Sequence, residues 1–270
     1  MSKIISDFIK SSTIKNYNKK KRKNLTNYLE IVQKIKVPYP MKKIYNCAIP
    51  ANIFQTWHTK SLPPLMFKAV QKVKMTNPRF NHTLFDDNDC RNFIQENFDN
   101  NVLNAFDILK PGAYKADLWR YCVLYKKGGV YLDIKYIPVN RFKFINLLEK
   151  EHWVLDADNN GIYNAVMVCK AGNQILLLAI NKIVENVKKR YYGEGCLDIT
   201  GPGLLSQYFT RDQKNNFDMK HFFYNSFDNR YVEFNNYIVL KSYNGYIQES
   251  QNNQKVDHYG TLWNSRNVYN

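Results

Sequence analysis

The chain has 270 residues and a mass of 32.0 kDa, enough for one sizeable α/β domain or two small ones. A hydrophobic fraction of 44% with 15% aromatic residues predicts a full buried core. No apolar run reaches the roughly 18 residues of a membrane span, and no signal-type apolar region opens the chain, so the expectation is a soluble, cytoplasmic protein. The net charge of +16 is uneven: residues 1–40 hold ten Lys and Arg against Asp7 and Glu30, half of the excess.

Residues 1–46 read as a basic N-terminal extension, with a KKKRK cluster at 19–23 and a helical stretch over 28–35. A solvated tail explains this composition. Nuclear targeting, nucleic-acid contact or peripheral attraction to an anionic membrane surface would also use it. Residues 47–270 read as one domain. A strand is predicted over 53–57, and Pro63-Pro64 opens a helix with Met66, Ala69, Val70 and Val73 on one face, ending before Asn77-Pro78. A strand over 82–85 follows, then a helix capped by Asp86 or Asp87. After the central stretch come buried strands over 153–155 and 165–169 and an apolar helix over 175–187. A Thr200-Gly-Pro-Gly203 turn then feeds a short helix, and strands are predicted near 222–224 and 237–240. Strands alternating with helices predict an α/β fold around a Rossmann-like, mostly parallel sheet. The five cysteines (Cys47, Cys90, Cys122, Cys169, Cys196) form no CxxC pair, which favours free thiols in a reducing compartment.

The densest chemistry lies in residues 113–136, AYKADLWRYCVLYKKGGVYLDIKY. An amphipathic helix carries Asp117 and Arg120 three residues apart, hence on one face. Gly128 and Gly129 can adopt the left-handed conformation that ends a helix. A strand then alternates Val130, Leu132 and Ile134 with Tyr131, Asp133 and Lys135, so period-two geometry places Asp133 and Lys135 on one face.

These pieces carry a resemblance. Ile49-Pro-Ala-Asn-Ile-Phe-Gln-Thr-Trp57, Ala116-Asp-Leu-Trp-Arg-Tyr121, Gly128-Gly-Val-Tyr-Leu-Asp133, Thr200-Gly-Pro202 and His258-Tyr-Gly-Thr-Leu-Trp263 resemble, in order, glycosyltransferase family 32. That group carries a DXD motif and includes capsular-polysaccharide enzymes and yeast initiating mannosyltransferases. The glucosyltransferase domains of clostridial toxins are more distantly similar. The resemblance implies a GT-A type fold and a retaining transfer of a hexose from a nucleotide-sugar donor, UDP-linked or alternatively GDP-linked, to an acceptor hydroxyl on a glycan, protein or lipid. By the same resemblance Trp57 stacks on the donor base, with Gln55 beside it on the strand. Asp117 and Arg120 hold the sugar and orient the pyrophosphate, Asp133 anchors sugar and metal, and Gly201 allows close backbone approach. Gly203, Asn164, Asp156 and Asp158 are further candidates, the last two being equally suited to a turn.

The implied cofactor is a divalent cation, Mn2+ ahead of Mg2+, held by Asp133 and His258 together with donor phosphates and water. Lys135 departs from the motif, because DXD places a second acid at that position. Two arrangements are open: the metal persists, which is the expectation, or the ammonium supplies part of its charge. Two other function classes remain, a basic nucleic-acid-binding module and a catalytically inactive scaffold. The acidic pair argues against nucleic acid as a partner.

Overall fold

The computed structural model describes residues 37–224 and 226–270. The cluster at 19–23 and the helix expected over 28–35 lie outside the described residues. Residues Tyr39–Asn270 form one compact unit.

Strand β1 (Asn52–Thr56) leads to helix α1 (Pro64–Thr76), which starts on a proline where the missing N–H has no helical partner to lose. It buries Met66, Ala69, Val70 and Val73, as their spacing predicts. After β2 (Asn81–Phe85), Asp86 starts α2 (Asp87–Asn97) with a reciprocal cap. Its carboxylate accepts from the Asp89 N–H, and the Asp89 carboxylate accepts from the Asp86 N–H. Helix α3 (Asn100–Ile108), capped by Asp99, was not anticipated from the sequence.

Helix α4 (Gly112–Lys127) differs from the amphipathic expectation: every residue from Asp117 to Leu124 is buried. It packs against α3, against α5 (Gln174–Lys188) and against the sheet, so neither face is left to water. Gly128 and Gly129 end it with φ of 60° and 127°. The sign is as expected, but ψ at Gly128 is 165°, an extended left-handed conformation that only glycine adopts easily. Space requires glycine as well: a Cβ on Gly129 would lie 2.8 Å from the Asn52 carbonyl oxygen.

Strand β3 (Gly129–Leu132) is buried on both faces. The remaining elements are β4 (Tyr136–Pro138), β5 (Val154–Leu155), β6 (Val166–Cys169), the short helices α6 (Pro202–Ser206) and α7 (Arg211–Asn215), β7 (Met219–Tyr224), β8 (Ser226–Phe234), β9 (Tyr237–Ser242), α8 (Tyr246–Asn253) and α9 (Tyr259–Asn264). The first sheet has the order β2-β1-β3-β6, parallel except for β6. A second sheet, β4-β9-β8-β7-β5, is mainly antiparallel and was foreseen only in fragments.

The layering follows from where the apolar side chains go. Phe54, Tyr131, Met167 and Cys169 face the helical layer of α2 to α5. Ile53, Val130, Leu132, Val166 and Val168 face the opposite way, toward Met219, Val232, Val239 and Leu240 of the second sheet. Period-two alternation therefore holds in β3, with two apolar environments in place of one core and one solvent face. Cys90, Cys122 and Cys169 are buried free thiols, while Cys47 is exposed. Among the described residues no helix is long and apolar enough to cross a membrane.

Candidate functional site

The chain reverses direction at β1. It passes through α1 to β2 on one side, and the next strand of that sheet, β3, lies on the other. In open α/β sheets ligands settle beyond the carboxyl ends of strands at such a reversal. Parallel register pairs Ile53 with Val130 and Phe54 with Tyr131. Trp57 and Asp133 consequently leave the sheet at the same edge.

The strand stops at Leu132, and Asp133–Tyr136 form a turn closed by the Tyr136 N–H donating to the Asp133 carbonyl at 3.0 Å. Lys135 is thus not on a shared strand face with Asp133, as periodicity predicted. The turn folds its ammonium back onto Asp133 Oδ2, to which it donates a hydrogen bond. Asp133 Oδ1 accepts from the Tyr131 hydroxyl at 2.7 Å and lies 3.5 Å from Arg120 Nη1. Burial alone would push the Asp133 carboxyl up. The charges of Lys135 and Arg120 outweigh it and hold the group below the usual carboxylate range.

Helix α4 supplies the other half. Asp117 is 7% exposed and Arg120 5%. Asp117 Oδ1 accepts from Asn164 Nδ2 at 2.9 Å and lies 3.3 Å from Arg120 Nη2; Oδ2 accepts from the Thr200 hydroxyl at 2.7 Å. Arg120 donates to the carbonyls of Asn164 at 2.8 Å and Ala116 at 3.1 Å, and its guanidinium sits 4.3 Å from the Tyr131 ring centre. Burial raises the Asp117 carboxyl above its usual range despite these partners. A Cβ on Gly201 would meet Asp117 Oδ2 at 3.2 Å, so the glycine backbone lies close against the acid. Gly203 is packed tighter still, with Asp198 Oδ1 2.1 Å from where its Cβ would stand.

Asp117, Arg120, Asp133, Lys135, Asn164 and Gly201 therefore form one connected group. Trp57 packs against the apolar cluster of Met66, Ala69, Val70, Ile134, Ile137 and Tyr243, and its indole N–H is buried with no partner among the described residues. Gln55 is fully buried, its Oε1 2.8 Å from His82 Nε2. His258 is exposed and caps α9, its Nδ1 accepting from the Gly260 N–H at 3.1 Å. Asp158 has the turn role, accepting from the N–H groups of Asn160 and Gly161. A cavity of about 460 Å3 lies elsewhere, at the amino-terminal edge of β2, lined by Lys42, Arg79, Phe80 and Lys143 among others. It holds none of these side chains.

Several partners were not foreseen. The Thr200 hydroxyl belongs to the Thr200-Gly-Pro-Gly203 turn, whose glycines carry the more obvious signal. Asp156 Oδ1 accepts from His221 Nδ1 at 2.8 Å, and the imidazole stacks on Tyr163 with ring centres 3.7 Å apart. The Tyr163 hydroxyl meets Tyr136 at 2.8 Å and is hydrogen-bonded by Arg230 of β8. His221 and Arg230 sit in a polar, aromatic stretch with no local motif, so only strand pairing could reveal them.

Residues 63–155 match the family described as "Glycosyltransferase sugar-binding region containing DXD motif". Over that stretch the chain is similar to the DXD-containing glycosyltransferases. It is 32% identical over 138 residues to inositol phosphoceramide mannosyltransferase 3 of Schizosaccharomyces pombe, covering 51% of this chain and 38% of the relative. It is 30% identical over 125 residues to the initiation-specific alpha-1,6-mannosyltransferase of Candida albicans, covering 44% and 32%. The chain thus spans less than half the length of these curated relatives. Among solved structures it is similar to the PaToxG glycosyltransferase, 18% identical with a TM-score of 0.46, covering 59% of this chain and 67% of that one. The mixed sheets with flanking helices fit the GT-A type fold that the family implies.

That family also implies a divalent cation, and the residues of this chain do not make its site. Among the described residues no three of His, Cys, Asp and Glu come together as a metal-holding group. His258 is spent on a helix cap, and both Asp133 oxygens are engaged by cations or a hydroxyl. At an effective dielectric near 20, a divalent ion about 4 Å from an ammonium is repelled by about 8 kcal/mol, as much as one carboxylate at that distance attracts it. Lys135 therefore cancels what Asp133 offers. Asp133 and His258 thus do not offer the expected site for Mn2+.

Proposed function

We propose that this protein is a glycosyltransferase that moves a hexose from a nucleotide-sugar donor to an acceptor hydroxyl with retention of configuration. The carrying observation is that Asp117 and Arg120 of α4 meet Asp133 at the strand reversal where Trp57 also emerges. A carboxylate is suited to accept from sugar hydroxyls, and a guanidinium supplies fixed donors to phosphate oxygens. In this reading Trp57 stacks on the base, Asp117 and Arg120 orient sugar and diphosphate, and Asp133 holds the sugar beside Lys135. Gly201 lets the donor approach Asp117. Gln55 and His258 have no part in it.

Cations beside both carboxylates, Arg120 on Asp117 and Arg120 with Lys135 on Asp133, lower their strength as covalent nucleophiles. That supports a front-face reaction. The bond from the anomeric carbon to the diphosphate oxygen breaks, the acceptor oxygen bonds to the same face, and its proton passes to the departing diphosphate. Relatives named as mannosyltransferases make mannose the first hexose to test, linked to GDP and to UDP.

The experiment is donor hydrolysis and transfer across a panel of nucleotide sugars, with Asp133→Ala beside the wild type. Turnover of one donor by the wild type alone supports the assignment. Equal turnover by both proteins removes it.

A further inference from the structure

We infer that Lys135 stands in for the divalent cation, so that this chain binds the donor's diphosphate through a side-chain ammonium and needs no metal to do so. The inference rests on the nucleotide-sugar reading above and deepens it.

Lys135 occupies the place where the DXD pattern puts a second acid, and the fold builds around it as a cation. The side chain is 7% exposed. Its ammonium donates to Asp133 Oδ2 and lies 5.4 Å and 5.5 Å from the ring centres of Tyr136 and Tyr163, whose faces favour a positive charge. The backbone is anchored too: the Lys135 carbonyl accepts from the Tyr243 N–H at 2.9 Å, tying the turn to the end of β9. Asp133, at 21% side-chain exposure, is the more open member of the pair. A compact ammonium with three donors can keep one bond to Asp133 and give another to a phosphate oxygen arriving at that edge. Arg230 contributes a further positive charge to the same neighbourhood, acting on both Lys135 and Tyr163.

The test is calorimetric titration of the full chain with UDP and with GDP, once in excess chelator and once with Mn2+. The expected result is binding of one nucleotide with dissociation constants that agree within about threefold between the two buffers. Binding that requires Mn2+ overturns the inference while leaving the donor reading intact. Binding in neither buffer removes the donor reading and the inference with it. Lys135→Met should lose at least about tenfold in affinity in chelator, the scale of one charged hydrogen bond. Lys135→Asp, which restores a second acid, should bind only when Mn2+ is present. Wild-type affinity in Lys135→Met would reduce Lys135 to a partner of Asp133 and overturn the proposal. Should either variant fail to fold by circular dichroism, the wild-type comparison decides alone.

Discussion

The Tyr131 hydroxyl donates to Asp133 Oδ1 at 2.7 Å, from two positions earlier in the chain and just before the strand ends. The same ring carries the Arg120 guanidinium on its face. One side chain thus supports the carboxylate and the cation together. Tyr131→Phe keeps the ring and removes only the hydroxyl. It should cost about 0.5–1.5 kcal/mol in urea unfolding, with a larger relative loss in transfer than in fold stability. A loss of about 3 kcal/mol or more would instead show that ring packing is disturbed.

Asp117 is a case in which the fold works against a charge that the site needs. Burial raises its carboxyl above the ordinary 3.8, so the charged form is less favoured in the folded chain than in the unfolded one. For such a group stability is present at low pH and is lost as pH rises through the folded value. At neutral pH a neutral isostere removes that penalty, and Arg120 keeps Asp133, the Asn164 carbonyl and the Tyr131 face as partners. Asp117→Asn should therefore unfold at the same urea concentration as wild type or higher, while transfer falls by about a hundredfold or more. A clearly lower midpoint would contradict the sign.

His82 predicts an acid-sensitive fold. Burial, helped by the charge of Lys74, pushes its imidazole down to about 4 from an ordinary 6.5. The unfolded chain takes up the proton first as pH falls, so stability is full above about 6.5 and declines progressively toward about 4. Urea midpoints measured between about pH 7 and pH 5 should fall in wild type. They should fall less in His82→Gln, which leaves an amide to meet Gln55 Oε1. His221, lowered by burial against the pull of Asp156, keeps part of the slope in that variant.

Gly129 and Gly112 make a matched pair. Alanine at Gly129 meets positive φ and the Asn52 backbone at 2.8 Å, whereas a Cβ on Gly112 has nothing within 4 Å. Gly129→Ala should lose about 1–3 kcal/mol from backbone strain and about as much again from overpacking. Gly112→Ala, at the first position of α4, should be neutral or slightly stabilising. Equal melting temperatures for the two variants would mean that the turn into β3 relaxes more easily than its packing indicates.

Much of the frame was legible because it rests on local rules. The proline start of α1, the Asp86 cap and the paired glycines each act within a few residues, and their chemistry does not depend on the rest of the fold. The reading failed where an element is surrounded. Helix α4 scans as amphipathic, yet α3, α5 and the sheet cover it on all sides. Alternation places Lys135 on a strand face with Asp133, but the strand stops at Leu132 and a turn brings it to Asp133 by another route.

The amino-acid order by itself determined the pieces that act within one turn or one strand: the i, i+3 spacing of Asp117 and Arg120, the glycine stop, and the carboxylate at the strand's end. Which groups meet across the chain was decided only by the tertiary structure. Thr200 on Asp117, the Asn164 carbonyl on Arg120, His221 on Asp156 and Arg230 near Lys135 are joined by the packing of loops against a helix and of strands in the second sheet. Those contacts depend on long-range closure between strands and helices, and no local propensity encodes it.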